Sequence, residues 1–437
     1  MKRIKIITLT LFLGIQFSNG QTFDLNLSIK LQNKLDSLKT AYNIKGISAC
    51  VIYPGQGMWQ GVSGLSYRGL PITNEMEFGI GSNTKLFTSV AILKLVETNL
   101  LNLDDSLYKF LPTIANVDSN ITIRQILNHT SGIADFTNHL GYSDSILSNP
   151  NRVFNPYELL AWVGKSIFPA GTGGFYSNTN YILAGLIFEK VSQQNIAKFI
   201  RDSLLTPLNL NSTFFDVQEP LLGIVAHPWQ NGADINNIPR ISLNSAAWTA
   251  GAIYSTSSDM TKWYKALLDG KVLNSNSFQL LTTFTGPGNY GLGIGKQELN
   301  GRIVWGHGGD IRGYRSRMIY DTTLKIILCV LTNSNPLEVN DVASDLLLTL
   351  VNNPVTEINE LPALQDQACI YPNPTSGIVH INNHGQKLMN VKIFNSAGAF
   401  LQEHIVSEFS ISNLPCGLYF IRIQTEKNLY LKKIIKQ

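Results

Sequence analysis

Segments with strand character lie at both ends of one long region, and a block with helical character separates them. Near the start, residues 46–53 and 58–67 flank a Pro-Gly turn. Near the end, residues 290–299 and 302–307 flank Asn-Gly, a dipeptide that favours a two-residue hairpin. A single antiparallel sheet that takes strands from both ends accommodates this order.

Helical patterns complete the prediction. Residues 27–41 and 337–351 are amphipathic, 82–109 is apolar with helical spacing, and 121–270 is mostly helical with many loops. The sequence therefore predicts an α/β (α+β) fold, in which terminal helices flank an antiparallel sheet and a helical subdomain is inserted. A cleft between the two parts is the natural place for a site.

Both ends of the chain differ from this region. Residues 1–20 join a basic start to a short apolar run and small residues, which predicts a signal peptide. The catalytic region would then be 21–352, followed by a linker at 353–367. Short alternating strands across 368–437 predict a separate small β-sandwich.

Charge and composition exclude several classes of function. The formal net charge is +4, and without the signal peptide 31 basic and 30 acidic residues remain, which gives a nucleic-acid binder little support. No spacing of histidines and cysteines predicts zinc, and no motif requires a cofactor. No later run reaches the ~20 apolar residues of a membrane span, so no stable span is predicted.

Ser82-Asn83-Thr84-Lys85 has the most direct chemical meaning. On a helix, residues three apart lie on one face, so the hydroxyl and the amine can meet. The apolar residues up to Leu93 predict a partly desolvated lysine with a lowered pKa, which can serve as a base for the serine. A second S-x-x-K, Ser106 to Lys109, follows two aspartates and precedes Pro112, so it is interpreted as a solvated helix end.

Two further motifs could complete a site. Tyr176-Ser177-Asn178 follows a glycine-rich turn and precedes an apolar helix, and it either delivers a phenol and an amide to a cleft or is a turn with an asparagine cap. His307-Gly308-Gly309 ends a strand, where the glycines would let a substrate backbone lie close to the edge. The alternative for this motif is a strand end with a flexible turn.

In this order the three motifs resemble the serine β-lactamase and D-Ala-D-Ala carboxypeptidase superfamily, on the class C lactamase side. The similarity covers roughly residues 40–350 and includes Phe78-Gly79-Ile80-Gly81 and Leu103-Asp104-Asp105. The resemblance implies that Ser82 forms an acyl-enzyme and that Lys85 takes its proton. It also implies that Tyr176 relays the proton to the leaving group, and that Asn178 holds the lysine and the substrate amide.

The resemblance also implies a substrate-binding strand. His307, Gly308 and Gly309 would line it, and the backbone N–H groups of Ser82 and Asp310 would form the oxyanion hole. Lactamases of this class carry Lys-Thr-Gly where this chain has His-Gly-Gly, which is more similar to DD-carboxypeptidases, D-aminopeptidases and esterases. Free histidine has a pKa of ~6.5, so His307 is a less dependable positive charge for a substrate carboxylate.

The last 70 residues resemble the sorting domain of the type IX secretion system. The likeness rests on Tyr371-Pro372-Asn373-Pro374, on 414–423 and on a lysine-rich end. It implies export through the periplasm to the cell surface or medium, with the type IX secretion machinery as a partner. A carbohydrate-binding β-sandwich is the alternative.

Three functional hypotheses follow. The favoured one is an exported serine hydrolase that acts on D-amino-acid peptides, including peptidoglycan-derived ones, or on small esters. The second is a β-lactamase, against which His307 argues. The third is a non-catalytic penicillin-binding-like surface protein, against which the retention of Ser82 and Lys85 argues.

Overall fold

A computed structural model describes most of the chain, in two units. The described residues are 23–237, 239–335, 339–354, 368–383, 385–395, 400–426 and 429–437. The predicted signal peptide and most of the predicted linker lie outside them. The chain divides into two compact units, Met1–Pro354 and Val355–Gln437.

The first unit contains strands and helices that alternate in blocks. Its strands are β1 (Gly46–Ile52), β2 (Met58–Tyr67), β3 (Leu70–Pro71), β4 (Phe78–Gly79), β5 (Phe214–Phe215), β6 (Trp229–Gln230), β7 (Ala233–Asp234), β8 (Ile253–Ser255), β9 (Gly295–Leu299), β10 (Arg302–Ile311), β11 (Tyr314–Asp321), β12 (Ile327–Thr332) and β13 (Ser334–Asn335). Its helices are α1 (Leu25–Ala41), α2 (Thr84–Glu97), α3 (Ile123–Leu127), α4 (Tyr142–Ser148), α5 (Pro156–Leu160), α6 (Asn178–Ser192), α7 (Ile196–Phe199), α8 (Arg240–Gly251), α9 (Ser257–Leu268), α10 (Ser275–Leu281) and α11 (Val339–Val351).

One seven-stranded sheet organises this unit. Its order is β3-β2-β1-β12-β11-β10-β9, and every neighbouring pair is antiparallel. The terminal helices α1 and α11 pack on each other and on the sheet, while α9 packs on β1 and β12. This confirms the predicted sheet, which takes strands from both ends of the region. Its centre is β12 beside β1, and both are almost wholly buried, as their apolar sequences require.

The inserted helical part shares one buried core with strands of the sheet. Helix α2 packs against α6 and α8, and it is buried nearly all round, as its apolar sequence requires. The predicted helix at 82–109 is shorter than expected, because the chain leaves α2 after Glu97 and Asn99 adopts a left-handed φ of 57°. No described helix combines the length and hydrophobicity needed to cross a bilayer.

The second unit is made of strands. They are β14 (Cys369–Tyr371), β15 (Ile378–Asn382), β16 (Leu388–Asn395), β17 (Phe400–His404), β18 (Glu408–Ser410), β19 (Gly417–Thr425) and β20 (Leu429–Lys436). They form two antiparallel sheets, β14-β15-β18 and β17-β16-β19-β20. Val379 from one sheet and Val391, Ile393 and Ile421 from the other share one buried core. The predicted small β-sandwich is thus confirmed.

Candidate active site

Ser82 lies in a single 3₁₀ turn between β4 and α2, against which β10 packs closely. Gly81 has a φ of 51°, and a Cβ there would lie 2.7 Å from the Asp310 nitrogen. A Cβ on Gly309 would lie 1.9 Å from the Ile80 carbonyl oxygen. Only glycine permits this approach at both positions. The backbone nitrogen of Asp310 therefore lies beside the turn that carries Ser82.

Lys85 lies one turn further along, with its amine held by three acceptors. Its Nζ donates to Ser82 Oγ at 3.0 Å, to Asn178 Oδ1 at 2.8 Å and to the Ala250 carbonyl at 2.8 Å. The side chain is fully buried, and burial lowers the pKa of Lys85 to about 7. Near neutral pH a large fraction of the amine is uncharged, and in that form two N–H groups donate to Asn178 and Ala250 while the lone pair accepts the serine proton.

A break in α8 supplies one of these acceptors. Trp248 interrupts the helix with a φ of 33° and a ψ of −125°. Beyond the break, the carbonyl of Thr249 accepts from the Thr88 hydroxyl at 2.8 Å, and that of Ala250 accepts from Lys85. Positive φ is costly for a tryptophan, and such strain is concentrated at functional sites. Nothing in the local sequence signals this break, so the sequence did not predict the third acceptor.

Asn178 is the first residue of α6, and Asp135 fixes its orientation. Asp135 Oδ2 accepts from Asn178 Nδ2 at 2.9 Å and from its backbone nitrogen at 3.1 Å. With the amide nitrogen held in this way, the carbonyl oxygen points to Lys85. Sequence reasoning missed Asp135, because nothing marks a partner that lies 43 residues away.

The ring of Tyr176 lies over the amine of Lys85. The Lys85 Nζ is 4.9 Å from the centre of the Tyr176 ring, and Ser82 is close enough to act on the pKa of the Tyr176 hydroxyl. Although 38% of the residue is accessible, desolvation raises the pKa of Tyr176 above its usual value, so the phenol is protonated at neutral pH. The ring also packs on buried His129, whose Nδ1 accepts from the Ser177 nitrogen at 3.2 Å.

His307 is buried and bonded on both ring nitrogens. Its Nε2 accepts from the Tyr290 hydroxyl at 2.7 Å, and its Nδ1 donates to the Gly308 carbonyl. Burial, with Lys85 nearby, lowers the pKa of His307 to about 3. The imidazole is therefore neutral at neutral pH, and the positive charge that a free histidine would partly carry is absent. Sequence reasoning missed Tyr290, which lies in a loop where a strand was predicted.

Gly308 leaves space on its own side of the strand. A Cβ at this position would make only an ordinary contact, 3.7 Å from Arg317 Nη1. Arg317 is buried on the neighbouring strand and donates to Gln297. Room is thus present beside the strand where the lactamase motif has a threonine.

The second S-x-x-K lies elsewhere and lacks such surroundings. Ser106 precedes a short 3₁₀ turn, and the half-exposed amine of Lys109 pairs with the Asp105 carboxylate. An exposed, paired lysine keeps its proton at neutral pH and is a poor base. Lys109 is therefore solvated, as predicted, but the prediction of a helix end is wrong, because this copy lies at a 3₁₀ turn beyond the end of α2.

A cavity of about 330 Å³ opens in front of the serine. Its lining includes Ser82 and Asn178, together with Asp310, Ile311 and Arg312 at the end of β10. The remaining lining is mostly apolar: Phe136, Thr137, Tyr142, Leu243, Ala247, Ala250 and Gly251. The Ser82 hydroxyl thus faces an open space, and the buried Lys85 amine lies 3.0 Å from it.

Each of the two parts of the chain matches a family of known proteins. Residues 31–352 match the beta-lactamase family, and residues 369–437 match the secretion system C-terminal sorting domain. Penicillin-binding protein 4 of Amycolatopsis lactamdurans is 28% identical over 69% of this chain and 84% of its own length. Protein flp of Staphylococcus aureus (strain NCTC 8325 / PS 47) is 29% identical over 63% of this chain, and the chain spans only 57% of flp.

Solved structures agree with these relatives. A D-stereospecific amidohydrolase from Streptomyces is 28% identical with a TM-score of 0.64, covering 72% of this chain and 97% of that protein. The D-amino acid amidase of Ochrobactrum anthropi SV3, at 24% identity, has the same fold with a TM-score of 0.67, covering 75% of this chain and 99% of that protein. The sorting domain indicates export to the cell surface or medium. The chain belongs to the beta-lactamase family of serine hydrolases.

Proposed function

We propose that the first unit hydrolyses D-amino-acid peptides, amides or small esters through an acyl-enzyme on Ser82. The single observation that carries the proposal is the buried Lys85 amine, 3.0 Å from Ser82 Oγ and with a pKa lowered to about 7. A base must lie within hydrogen-bonding reach of the proton that it takes and have a pKa near the working pH. Lys85 meets both conditions.

The catalytic steps follow from this geometry. The neutral Lys85 amine takes the Ser82 proton while Oγ attacks the substrate carbonyl carbon, and the negative charge on the carbonyl oxygen is held by the N–H groups of Ser82 and Asp310. The protonated Tyr176 gives its proton to the leaving nitrogen or oxygen as the bond to carbon breaks. The phenolate recovers a proton from Lys85, and water then hydrolyses the ester by the same groups acting in reverse.

The substrate class rests on the third motif and on the relatives. A neutral His307 gives a substrate carboxylate no charge to bind, which argues against strong β-lactamase activity. Amides and esters of D-amino acids need no positive charge at His307. The D-stereospecific amidohydrolase, which is 28% identical, supports the preference for D-amino-acid substrates.

A substrate panel tests the proposal. Purified enzyme would be assayed with D-amino-acid amides, D-Ala-D-Ala peptides, p-nitrophenyl esters and nitrocefin, with Ser82→Ala as the control. We expect turnover of a D-amino-acid amide, peptide or ester that Ser82→Ala loses, with nitrocefin the poorest substrate. Nitrocefin as the best substrate, or turnover unchanged in Ser82→Ala, would refute the proposal.

A further inference from the structure

The direction in which a substrate lies along β10 follows from the place of the proton donor. The rings of Tyr176 and His307 are 6.1 Å apart, so the phenol lies at the His307 end of the strand. In the proposed mechanism Tyr176 protonates the leaving group, which therefore departs at that end. The acyl part must extend the other way, past Asp310 toward Ile311 and Arg312.

Space continues in that direction beyond the serine. The cavity in front of Ser82 shares Leu243 and Arg312 with a second cavity of about 350 Å³. Tyr254, Tyr314 and Arg240 are among the residues that line this second space. The two cavities adjoin at Arg312, so an acyl group longer than one residue would pass its guanidinium.

The charges along this path leave one cation without a carboxylate. Arg240 pairs with Asp216, and Arg315 pairs with Asp310. Arg312 is half-buried, and its one described hydrogen bond is a long one, 3.4 Å, to the Gln230 amide oxygen. No carboxylate among the described residues lies within ion-pair distance of Arg312. The arginine thus brings a net positive charge to the acyl side.

We propose that the acyl part of the substrate carries a carboxylate that Arg312 binds. The inference rests on the proposed function, because the direction of the substrate depends on Tyr176 as the proton donor. Guanidinium binds carboxylates through two parallel N–H groups, and a partly buried site strengthens such a pair. A substrate with a free ammonium group at this place would be repelled. The site therefore favours substrates with a carboxylate at this place on the acyl side over substrates with an ammonium group there.

A matched pair of substrates tests this selection. N-succinyl-D-alanine p-nitrophenyl ester has a carboxylate on the acyl side, and its N-succinamoyl counterpart has a neutral amide of nearly the same shape. In the wild type, we expect kcat/KM about tenfold higher for the succinyl ester, as one hydrogen-bonded charge pair would give. In Arg312→Gln the preference should vanish, because kcat/KM for the succinyl ester falls by about tenfold more than kcat/KM for the neutral ester. Lys325→Gln, which removes an exposed cation in the turn between β11 and β12, should keep the preference.

The outcomes separate this inference from the proposed function. If both esters are hydrolysed in a Ser82-dependent way at equal rates, or if Arg312→Gln keeps the preference, the role of Arg312 is wrong and the serine hydrolase stands. If neither ester nor any other member of the substrate panel gives Ser82-dependent turnover, the proposed function fails, and the inference fails with it. A preference that shrinks as salt is added would further support a charge pair.

Discussion

The Lys85 amine is buried and makes three hydrogen bonds, and its burial has a direct consequence for activity. Protein around the ammonium group disfavours its charged form, which lowers the pKa of Lys85 to about 7. The local S-x-x-K spacing was enough to predict that Ser82 and Lys85 meet, because one helical turn sets their distance. The partners Asp135, Tyr290 and Ala250 could not be predicted, because only the fold brings them to the site.

The first prediction concerns the pH dependence that Lys85 imposes. Because the base must be unprotonated, kcat/KM for a neutral ester should rise with pH, reach half its maximum near pH 7 and level off above. The pKa of His307 is about 3, so the histidine does not titrate in this range. Lys85→Arg, whose guanidinium keeps its proton, should lower kcat about 10³-fold. A profile that is flat from pH 6 to 8, or that rises only above pH 9, would contradict the assignment.

The second prediction concerns His307, which is neutral because it is buried. For two substrates that differ only by a carboxylate on the leaving group, the ratio of kcat/KM values should stay constant from pH 5 to 8. His307→Gln should leave this constancy unchanged, since it removes no charge. If instead the relative rate of the carboxylate-bearing substrate falls as pH rises through 6 to 7, His307 carries a titrating charge after all.

For the helices and strands, the local sequence pattern predicted more of the structure than it did for the residues of the active site. Strand β2 occupies the predicted residues 58–67, because its own alternation and the preceding turn mark it. The predicted strand at 290–299 begins only at Gly295. Gly293 has a φ of 80°, and the chain at this point passes close to the Lys85 backbone. That loop carries Tyr290. Because its contact with Lys85 arises only in the folded chain, the sequence predicted neither the start of β9 nor the role of Tyr290.

The third prediction tests the break in α8. Gly185 of α6 lies against the break, and a Cβ there would come within 2.6 Å of Thr249 Cγ2 and 2.8 Å of Trp248 Cζ3. Gly185→Ala should therefore destabilise the unit by about 1–3 kcal/mol and lower kcat more than it changes KM, because the Ala250 carbonyl moves away from Lys85. Gly164→Ala is the control, since its Cβ would meet only Ala134 Cβ at 3.7 Å. Thermal unfolding and steady-state kinetics measure both effects, and a variant with wild-type kcat would show that the break is not needed.

In the whole molecule, each of the two units has a buried core of its own. The described core of the second unit consists of its own residues, such as Val379, Val391 and Ile421. The proposed nucleophile and base, Ser82 and Lys85, both lie in the first unit. The change of composition near residue 353 already predicted two modules, because a chain segment without apolar periodicity cannot join a packed core.

The fourth prediction follows from this separation. A protein that ends at Pro354 should fold, stay soluble and keep kcat/KM within about twofold of the full chain, because no catalytic group is removed. In a host with the secretion system, the same truncation should remain in the periplasm, because the sorting domain directs the last step of export. Loss of activity in a truncated protein with an unchanged circular dichroism spectrum would show that the second unit belongs to the catalytic one. Appearance in the medium would refute the sorting role.

The central claim is that Ser82 is acylated, and the site of a covalent adduct tests it most directly. The full chain would be incubated with a fluorophosphonate probe and, separately, with a labelled penicillin, and the modified peptide identified by mass spectrometry. We expect the adduct on Ser82, and none in Ser82→Ala, because only this serine has a buried amine within 3.0 Å of its oxygen among the described residues. An adduct on Ser106, or equal labelling of wild type and Ser82→Ala, would contradict the account.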